Sequence, residues 1–375
     1  MSTHELYMQR CIQLARLGAG QVAPNPMVGA VLVYEDRIIG EGYHAIFGQG
    51  HAEVNCINSV AAEDRYLIPL ATIYVSLEPC AHYGKTPPCA DLIIANRIRT
   101  VVIGSRDPFL AVNGKGIEKL QAAGISVVTG VLEKECLDLN KRFFTFHTQQ
   151  RPYFILKWAQ TANGAIGSGS DNRLLISNDF TNRIVHRWRN EESAILVGTN
   201  TALADDPLLT NRLWYGKSPV RLVIDTNLRL PKTLKLLSEG PPTIIFNYLD
   251  HSDNLDAVTI RTAQQALAAE RSTPHIATGN NVFYYRLEKD EPLLPQISYA
   301  CFRLQLLSVL VEGGAFLQQR CLNEGYWDEA RVITNDQLMA PGGLKAPELP
   351  AALHVGTTRF LNDRIDFFLK PINEN

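Results

Sequence analysis

His51 and Glu53 lie two residues apart in His51-Ala52-Glu53, and the chain supplies two further thiols at Pro79-Cys80 and Cys89. One imidazole and two thiolates form a three-ligand set for Zn²⁺ that leaves the fourth position open to water, whereas a structural zinc site closes with a fourth Cys or His. Zinc in such a set brings a water close to ionisation near neutral pH, and Glu53 is the natural group to carry the protons. Taken singly, His51 reads as an ordinary surface or core histidine and each Cys as a small buried hydrophobe. The combination, in this order, points to a catalytic metal. Because residues i and i+2 do not share a face of a regular helix, the spacing requires His51 and Glu53 to sit at a helix entry.

The elements that must hold these residues can be read along the chain. Met8, Cys11, Ile12 and Ala15 recur at helical spacing over 5–17, with Gly18 as the stop. Gly18-Ala-Gly20 superficially matches a dinucleotide fingerprint, but it follows a helix and runs into Pro24-Asn25-Pro26, so it is rejected. Met27–Tyr34 and Arg37–Tyr43 read as a hairpin around Glu35-Asp36. The helix carrying His51 and Glu53 continues through Val54, Ile57 and Val60. Ala71–Ser76 reads as a strand whose carboxyl end turns through Leu77-Glu-Pro-Cys80. Pro87-Pro88-Cys89 opens the helix Ala90–Asn96. A strand Thr100–Gly104, a helix Gly116–Ala123, a strand Ile125–Gly130 and one long helix Glu133–Thr148 complete an α/β alternation. The metal ligands therefore fall on two βα junctions, where α/β sheets place their chemistry.

At 375 residues, with 46% hydrophobic and 20% charged residues, the chain predicts two globular domains. The polar, Pro-terminated run Thr148–Pro152 marks the boundary, giving domains 1–148 and 151–375. A formal net charge of −2 without a basic run argues against a nucleic-acid surface. No stretch approaches a membrane span and the N-terminal residues lack a signal-peptide pattern. Seven irregularly spaced cysteines fit a reducing, cytoplasmic setting.

The second half repeats the alternation: strand Tyr153–Ala159 broken by Lys157, helix Asn178–Asn190, and strands Ala194–Val197, Val220–Asp225 and Thr243–Asn247. Residues 250–300 read poorly, with a peripheral helix near Thr262–Glu270. Ser308-Val-Leu-Val-Glu312-Gly313-Gly314 is a buried strand followed by paired glycines and a helical run Phe316–Leu322. Such glycines let backbone N–H groups approach a phosphate, although a tight turn is their commoner meaning.

A His-x-Glu followed by Pro-Cys and a second Cys is the general signature of zinc nucleobase deaminases. Asn25-Pro26-Met-Val28-Gly29, His44, His51-Ala-Glu53 and Leu77-Glu-Pro-Cys80 through Cys89 resemble the deaminase domain of the bifunctional riboflavin-biosynthesis family. That resemblance implies a cytidine-deaminase-like three-layer α/β/α domain. It makes His51, Cys80 and Cys89 zinc ligands and Glu53 the proton shuttle, with Asn25 and His44 contacting a pyrimidine and Lys85 its ribose-linked phosphate. From Arg151 to about Pro350 the chain is similar to the reductase half of the same family, which implies a dihydrofolate-reductase-like α/β fold using NADPH. By matched position, Ala159, Leu175, Thr201, Asp205, Thr226 and the run from Gly314 would contact the cofactor. Arg173, Arg189, Leu209, Arg212 and Glu312 would surround the ribityl-phosphate substrate. Two departures stand out: Thr161-Ala-Asn163-Gly164-Ala165 replaces the family's Ser-Leu-Asp-Gly-Lys, and Leu175 replaces a Trp.

The expectation is thus a bifunctional enzyme that deaminates a phosphoribosylated diaminopyrimidinone and then reduces its ribosyl side chain to ribityl. The partner is a small phosphorylated molecule, with neither nucleic acid nor membrane, and a homo-oligomer is left open. The rivals are a deaminase for another base, even a tRNA, a zinc protein whose second half is impaired, and a deaminase fused to a reductase of different specificity.

Overall fold

In the computed structural model, which describes residues 2–83, 87–108, 113–168, 174–238, 240–249 and 281–371, the chain divides into units Met1–Gln150 and Arg151–Asn375. The first opens with α1 (Thr3–Arg16). The Ser2 hydroxyl accepts the Glu5 N–H at 3.3 Å, and the Glu5 carboxylate accepts the Ser2 N–H at 2.7 Å. Each side chain thus satisfies a backbone donor at the helix start. Strands β1 (Gly29–Tyr34) and β2 (Arg37–Tyr43) follow as an antiparallel hairpin. Glu35 and Asp36 turn it with φ of 45° and 62°, a backbone twist that matches the strands.

The remaining elements are α2 (Ala52–Asn58), β3 (Thr72–Leu77), α3 (Cys89–Ala95), β4 (Thr100–Ser105), α4 (Lys115–Ala122) and β5 (Ser126–Thr129). Together the strands form a sheet of order β2-β1-β3-β4-β5, antiparallel at β1 and parallel from β3 to β5. Met8, Cys11, Ile12 and Ala15 of α1 cover one face against Val31, Tyr74 and Val102. On the other face Cys56, Ile93 and Leu120, one from each of the next three helices, pack on Leu32, Ile73 and Ile103. The result is three layers.

One expectation fails here. The single helix over 133–148 is two, α5 (Glu133–Leu139) and α6 (Lys141–Gln149). Asn140 breaks it: its amide donates to the Met27 carbonyl and accepts the Met27 N–H, both at 2.8 Å. A side-chain amide that can mimic a backbone partner competes with helix continuation, and a contact 113 residues away is invisible to local periodicity.

The second unit holds β6 (Tyr153–Thr161), α7 (Asp179–Glu191), β7 (Ala194–Gly198), α8 (Thr199–Asp205), β8 (Val220–Ile224), β9 (Thr243–Asn247) and β10 (Val282–Arg286). A helix Leu293–Arg303, strand β11 (Ser308–Val311), a helix Ala315–Asn323, β12 (Glu329–Asn335), β13 (Leu353–Phe360) and β14 (Asp363–Leu369) complete it. Its sheet runs β10-β9-β8-β7-β11-β6-β12-β14-β13, with β10 through β12 parallel and the C-terminal hairpin antiparallel. Alternate residues of β6 serve opposite faces. Phe154 and Leu156 join a core with Leu294, Ile297 and Leu317, whereas Tyr153 and Ile155 pack with Val185 and Trp188 of α7. The short helix α8, the helix Leu293–Arg303 and the hairpin beyond Pro350 escaped the sequence reading, as did the nine-residue 3-10 helix Ala62–Leu70. The region around Thr262–Glu270 lies outside the described residues. Among the described residues no helix is long and apolar enough to cross a membrane.

Candidate active site

α2 begins at His51, the residue preceding its first turn, whose backbone is extended with φ −69° and ψ 168°. Glu53 is the second residue of the helix proper, so the entry geometry that the i, i+2 spacing requires is realised. Gly42 lets this helix lie close against β2, because a Cβ there would stand 2.2 Å from the Cys56 nitrogen and 2.6 Å from the Ala52 carbonyl. Asn55 secures the approach, donating to the carbonyls of Tyr43 at 2.8 Å and Gly50 at 3.1 Å. Cys80 follows the end of β3, and Cys89 is the first residue of α3.

These three side chains converge. His51 Nδ1 lies 3.7 Å from Cys80 Sγ and 3.3 Å from Cys89 Sγ, and all three donor atoms fall within 4.8 Å of one another. Zinc–sulfur and zinc–nitrogen bonds of about 2.3 and 2.0–2.1 Å at a tetrahedral angle put N and S about 3.5–3.6 Å apart, so the spacing fits the ion. The Cys89 N–H donates to Cys80 Sγ at 3.3 Å, which favours the thiolate. A hydrogen bond from the Cys89 thiol, aided by His51, pulls Cys80 down to about 4, and the same bond holds Cys89 above its ordinary range. The pair thus shares a proton that a metal must displace. His51 is raised, chiefly by its hydrogen bond to Cys80.

Glu53 is buried, at 3% exposure. Burial pushes its carboxyl up, and the neighbouring Cys80 adds to the effect. A carboxyl held closer to neutrality is better matched to taking and returning protons near pH 7. His44 is also buried, and burial lowers its pKa. Its Nδ1 is 3.1 Å from the Gly50 carbonyl and its Nε2 3.2 Å from the Asn25 amide nitrogen. A neutral ring donating to Gly50 and accepting from Asn25 satisfies both contacts, and leaves the Asn25 carbonyl oxygen available to an amino group. The His44 and His51 rings meet edge to face at 5.5 Å. Asn25 and His44 therefore border the cluster, while Lys85 lies outside the described residues.

In the second unit a different cluster forms. Arg189 of α7 grips Glu312, just past β11, with Nε at 2.9 Å and an Nη at 2.8 Å, and its other Nη donates to the Thr210 carbonyl at 3.1 Å. Lys157 of β6 lies 3.7 Å from the same carboxylate. Burial alone would raise Glu312, but the charges of Arg189 and Lys157 outweigh it and hold it down to about 2. His186 Nδ1 accepts the backbone N–H of Arg212 at 2.8 Å, and the Arg212 guanidinium donates to Thr210 Oγ1 at 2.7 Å. Burial and the adjacent arginines depress His186 to about 4. Leu209, buried with φ 53°, turns the chain into this region. Arg173 lies outside the described residues.

Of the expected cofactor contacts, Thr201 and Gly314 are joined, the Gly314 N–H donating to Thr201 Oγ1 at 2.8 Å. Ala159 stands on β6 opposite Ile333, Thr226 follows β8, Asp205 ends α8, and Leu175 is 76% exposed. Asn163 keeps the turn of the departing motif. Its oxygen accepts Thr161 Oγ1 at 2.7 Å and the Ala340 N–H at 3.0 Å, while its nitrogen donates to the Ala340 carbonyl at 3.1 Å. The last bond needs the amide, since a carboxylate has no donor. Two residues of these clusters went unassigned in the sequence. Lys157 registered only as a break in strand alternation, a signal that a buried charge had a reason to be there. His186, within a polar helix, gave none.

Residues 1–105 match the family described as the cytidine and deoxycytidylate deaminase zinc-binding region. Residues 152–341 match the RibD C-terminal domain. The riboflavin biosynthesis protein RibD of Aquifex aeolicus is 36% identical over 338 residues, 90% of this chain and 88% of that protein. The RibD of Bacillus amyloliquefaciens is 38% identical over 347 residues, 92% and 87% respectively. A Thermotoga maritima structure described as a diaminohydroxyphosphoribosylaminopyrimidine deaminase and 5-amino-6-(5-phosphoribosylamino)uracil reductase superposes with TM-score 0.82 at 33% identity, covering 98% of each chain. Acinetobacter baumannii RibD superposes with TM-score 0.83 at 28% identity, again over 98% of each. Because the likeness runs through both halves, the reading with an impaired or differently directed second half is not favoured. The chain belongs to the RibD family of bifunctional riboflavin biosynthesis enzymes, which join a zinc-dependent deaminase to an NADPH-dependent reductase.

Proposed function

We propose that the first unit hydrolytically deaminates 2,5-diamino-6-(5-phosphoribosylamino)pyrimidin-4-one and that the second reduces the ribosyl side chain of the product to ribityl. The observation that carries this reading is the meeting of His51 Nδ1, Cys80 and Cys89 within 4.8 Å, with buried Glu53 beside them. His51, Cys80 and Cys89 hold the zinc, which supplies Lewis acidity that brings a water near ionisation at neutral pH. Glu53 takes one proton from the attacking water and gives it to a ring nitrogen. It then takes the second from the hydroxyl of the tetrahedral carbon and gives it to the amino group, so that the C–N bond breaks, a carbonyl forms and ammonia leaves. Asn25, steadied by His44, presents its carbonyl to the pyrimidine edge, and Lys85 takes the phosphate.

In the second unit Lys157, Arg189 and Arg212 outnumber Glu312, leaving an excess of positive charge suited to a substrate phosphate, and the family resemblance adds Arg173 and Leu209 as substrate contacts. The guanidinium forks match phosphate oxygens. NADPH supplies the hydride, and Ala159, Leu175, Thr201, Asp205, Thr226 and Gly314 hold it. A coupled assay on the purified protein tests the whole. With the diaminopyrimidinone ribosyl phosphate, ammonia release should precede NADPH oxidation, and absence of both from zinc-loaded protein would reject the substrate.

A further inference from the structure

The turn that carries Cys80 is tied to a helix that supplies no ligand. Glu78 is buried, at 4% exposure. Its Oε1 accepts the N–H groups of Gly116 at 2.9 Å and Ile117 at 3.2 Å, and its Oε2 those of Gly114 at 3.0 Å and Asp107 at 3.2 Å. Gly116 and Ile117 are in the first turn of α4, whose leading N–H groups have no partner within the helix. The carboxylate therefore caps α4 from another segment, with its negative charge at the positive end of the helix. Its own backbone N–H donates to the Ser105 carbonyl of β4 at 2.9 Å. At the next residue the contact is tighter still, because a Cβ on Gly116 would stand 2.0 Å from the Pro79 carbonyl oxygen. Beyond it, the Cys80 carbonyl accepts the Ala90 N–H at 3.1 Å. Glu78, Pro79 and Cys80 are thus held in succession by β4, α4 and α3.

We infer that Glu78, docked against a glycine at position 116, is a positioning residue for the metal ligand Cys80, an inference that rests on the metal-site reading above. Only Pro79 lies between the anchored residue and Cys80, so the anchor sets where Sγ stands. Glu78→Gln keeps the shape but turns one end of the side chain into an NH₂ that confronts backbone donors. Gly116→Ala disturbs the same turn from the helix side.

The experiment is chelator competition for zinc on the full-length protein, with melting temperature followed in parallel. Both variants should weaken zinc binding roughly 10–100-fold, the range carried by groups that orient metal ligands. Leu120→Ala, which removes a buried side chain of the same helix away from Pro79, should lower the melting temperature and leave zinc affinity unchanged. If Glu78→Gln and Gly116→Ala bind zinc like the unsubstituted protein while Cys80→Ser loses it, the inference is overturned. It is overturned equally if Leu120→Ala weakens zinc as much as they do. Retention of zinc by Cys80→Ser would instead remove the metal-site reading itself. Should Glu78→Gln not fold, Gly116→Ala decides the matter.

Discussion

The two clusters solve opposite electrostatic problems. Around His51, Cys80 and Cys89 the fold gathers like donors, whose two thiols share a hydrogen bond that lowers Cys80 and raises Cys89. Around Glu312 it gathers charges that already answer one another, Arg189 at 2.8 Å and Lys157 at 3.7 Å. In the first cluster, backbone anchors bring the three donor atoms within 4.8 Å of one another. In the second, the organisation comes from ion pairs, with Glu312 shared between Arg189 and Lys157. Their placement differs accordingly. The metal donors come from two βα junctions within 39 residues of chain, His51 through Cys89. Lys157, Arg189 and Glu312 come from β6, α7 and the end of β11, and they become neighbours through the parallel pairing of β6 with β11 and the packing of α7 on that sheet. One unit therefore gathers soft donor atoms of a kind that bind metal, and the other gathers opposite charges that pair with each other.

The sharpest way to break the comparison is at Glu53. If it moves protons rather than holding structure, Glu53→Gln should slow ammonia release by about 10²–10⁴-fold, the usual worth of a general acid–base group. Zinc content measured on the same preparation should be retained. Loss of zinc would make Glu53 part of the ligand framework, and full activity would remove it from the mechanism.

In the second unit the corresponding change acts on folding. Glu312→Gln strands Arg189 and Lys157 without their anion, and breaking a buried ion pair from one side costs about 3–5 kcal/mol. Denaturant unfolding followed by a probe in this unit should show that loss. A stability change within error would mean that water or the neighbouring carbonyls already compensate the cations.

A smaller effect separates the units by pH. His186 titrates at about 4 when folded against an ordinary value of 6.5, so the unfolded chain binds the extra proton over that interval. Its contribution is intact above pH 6.5 and is lost as pH falls from 6.5 toward 4. Glu312, held at about 2 against 4.5, supplies stability above pH 4.5 that is lost as pH falls from there toward 2. Melting curves from pH 7 to 4 should show the first loss, and His186→Gln should flatten it. A slope that persists in that variant would assign the window to another group.

Legibility followed the range of the interactions. The helix 5–17, the hairpin at Glu35-Asp36 and the βα junctions of Cys80 and Cys89 were readable, because a 3.6-residue period, a two-residue turn and a proline at a helix start are local signals. The Asn140 break was not, since Met27 makes it. Glu78 read as part of a turn, because the four N–H groups it satisfies belong to segments at 107 and 114–117.

The sequence by itself determined the donor set of the first unit: one imidazole and two thiols within 39 residues, with a carboxyl two positions from the imidazole. Those are properties of side chains and short spacings, and they survive without coordinates. Only the tertiary structure decided which nitrogen of His51 faces the sulfurs, that burial raises Glu53, that Lys157 and Arg189 share one carboxylate, and that a helix start holds the turn of Cys80. Each of these depends on desolvation and on distances between segments far apart in the chain, and neither quantity exists until the chain has packed.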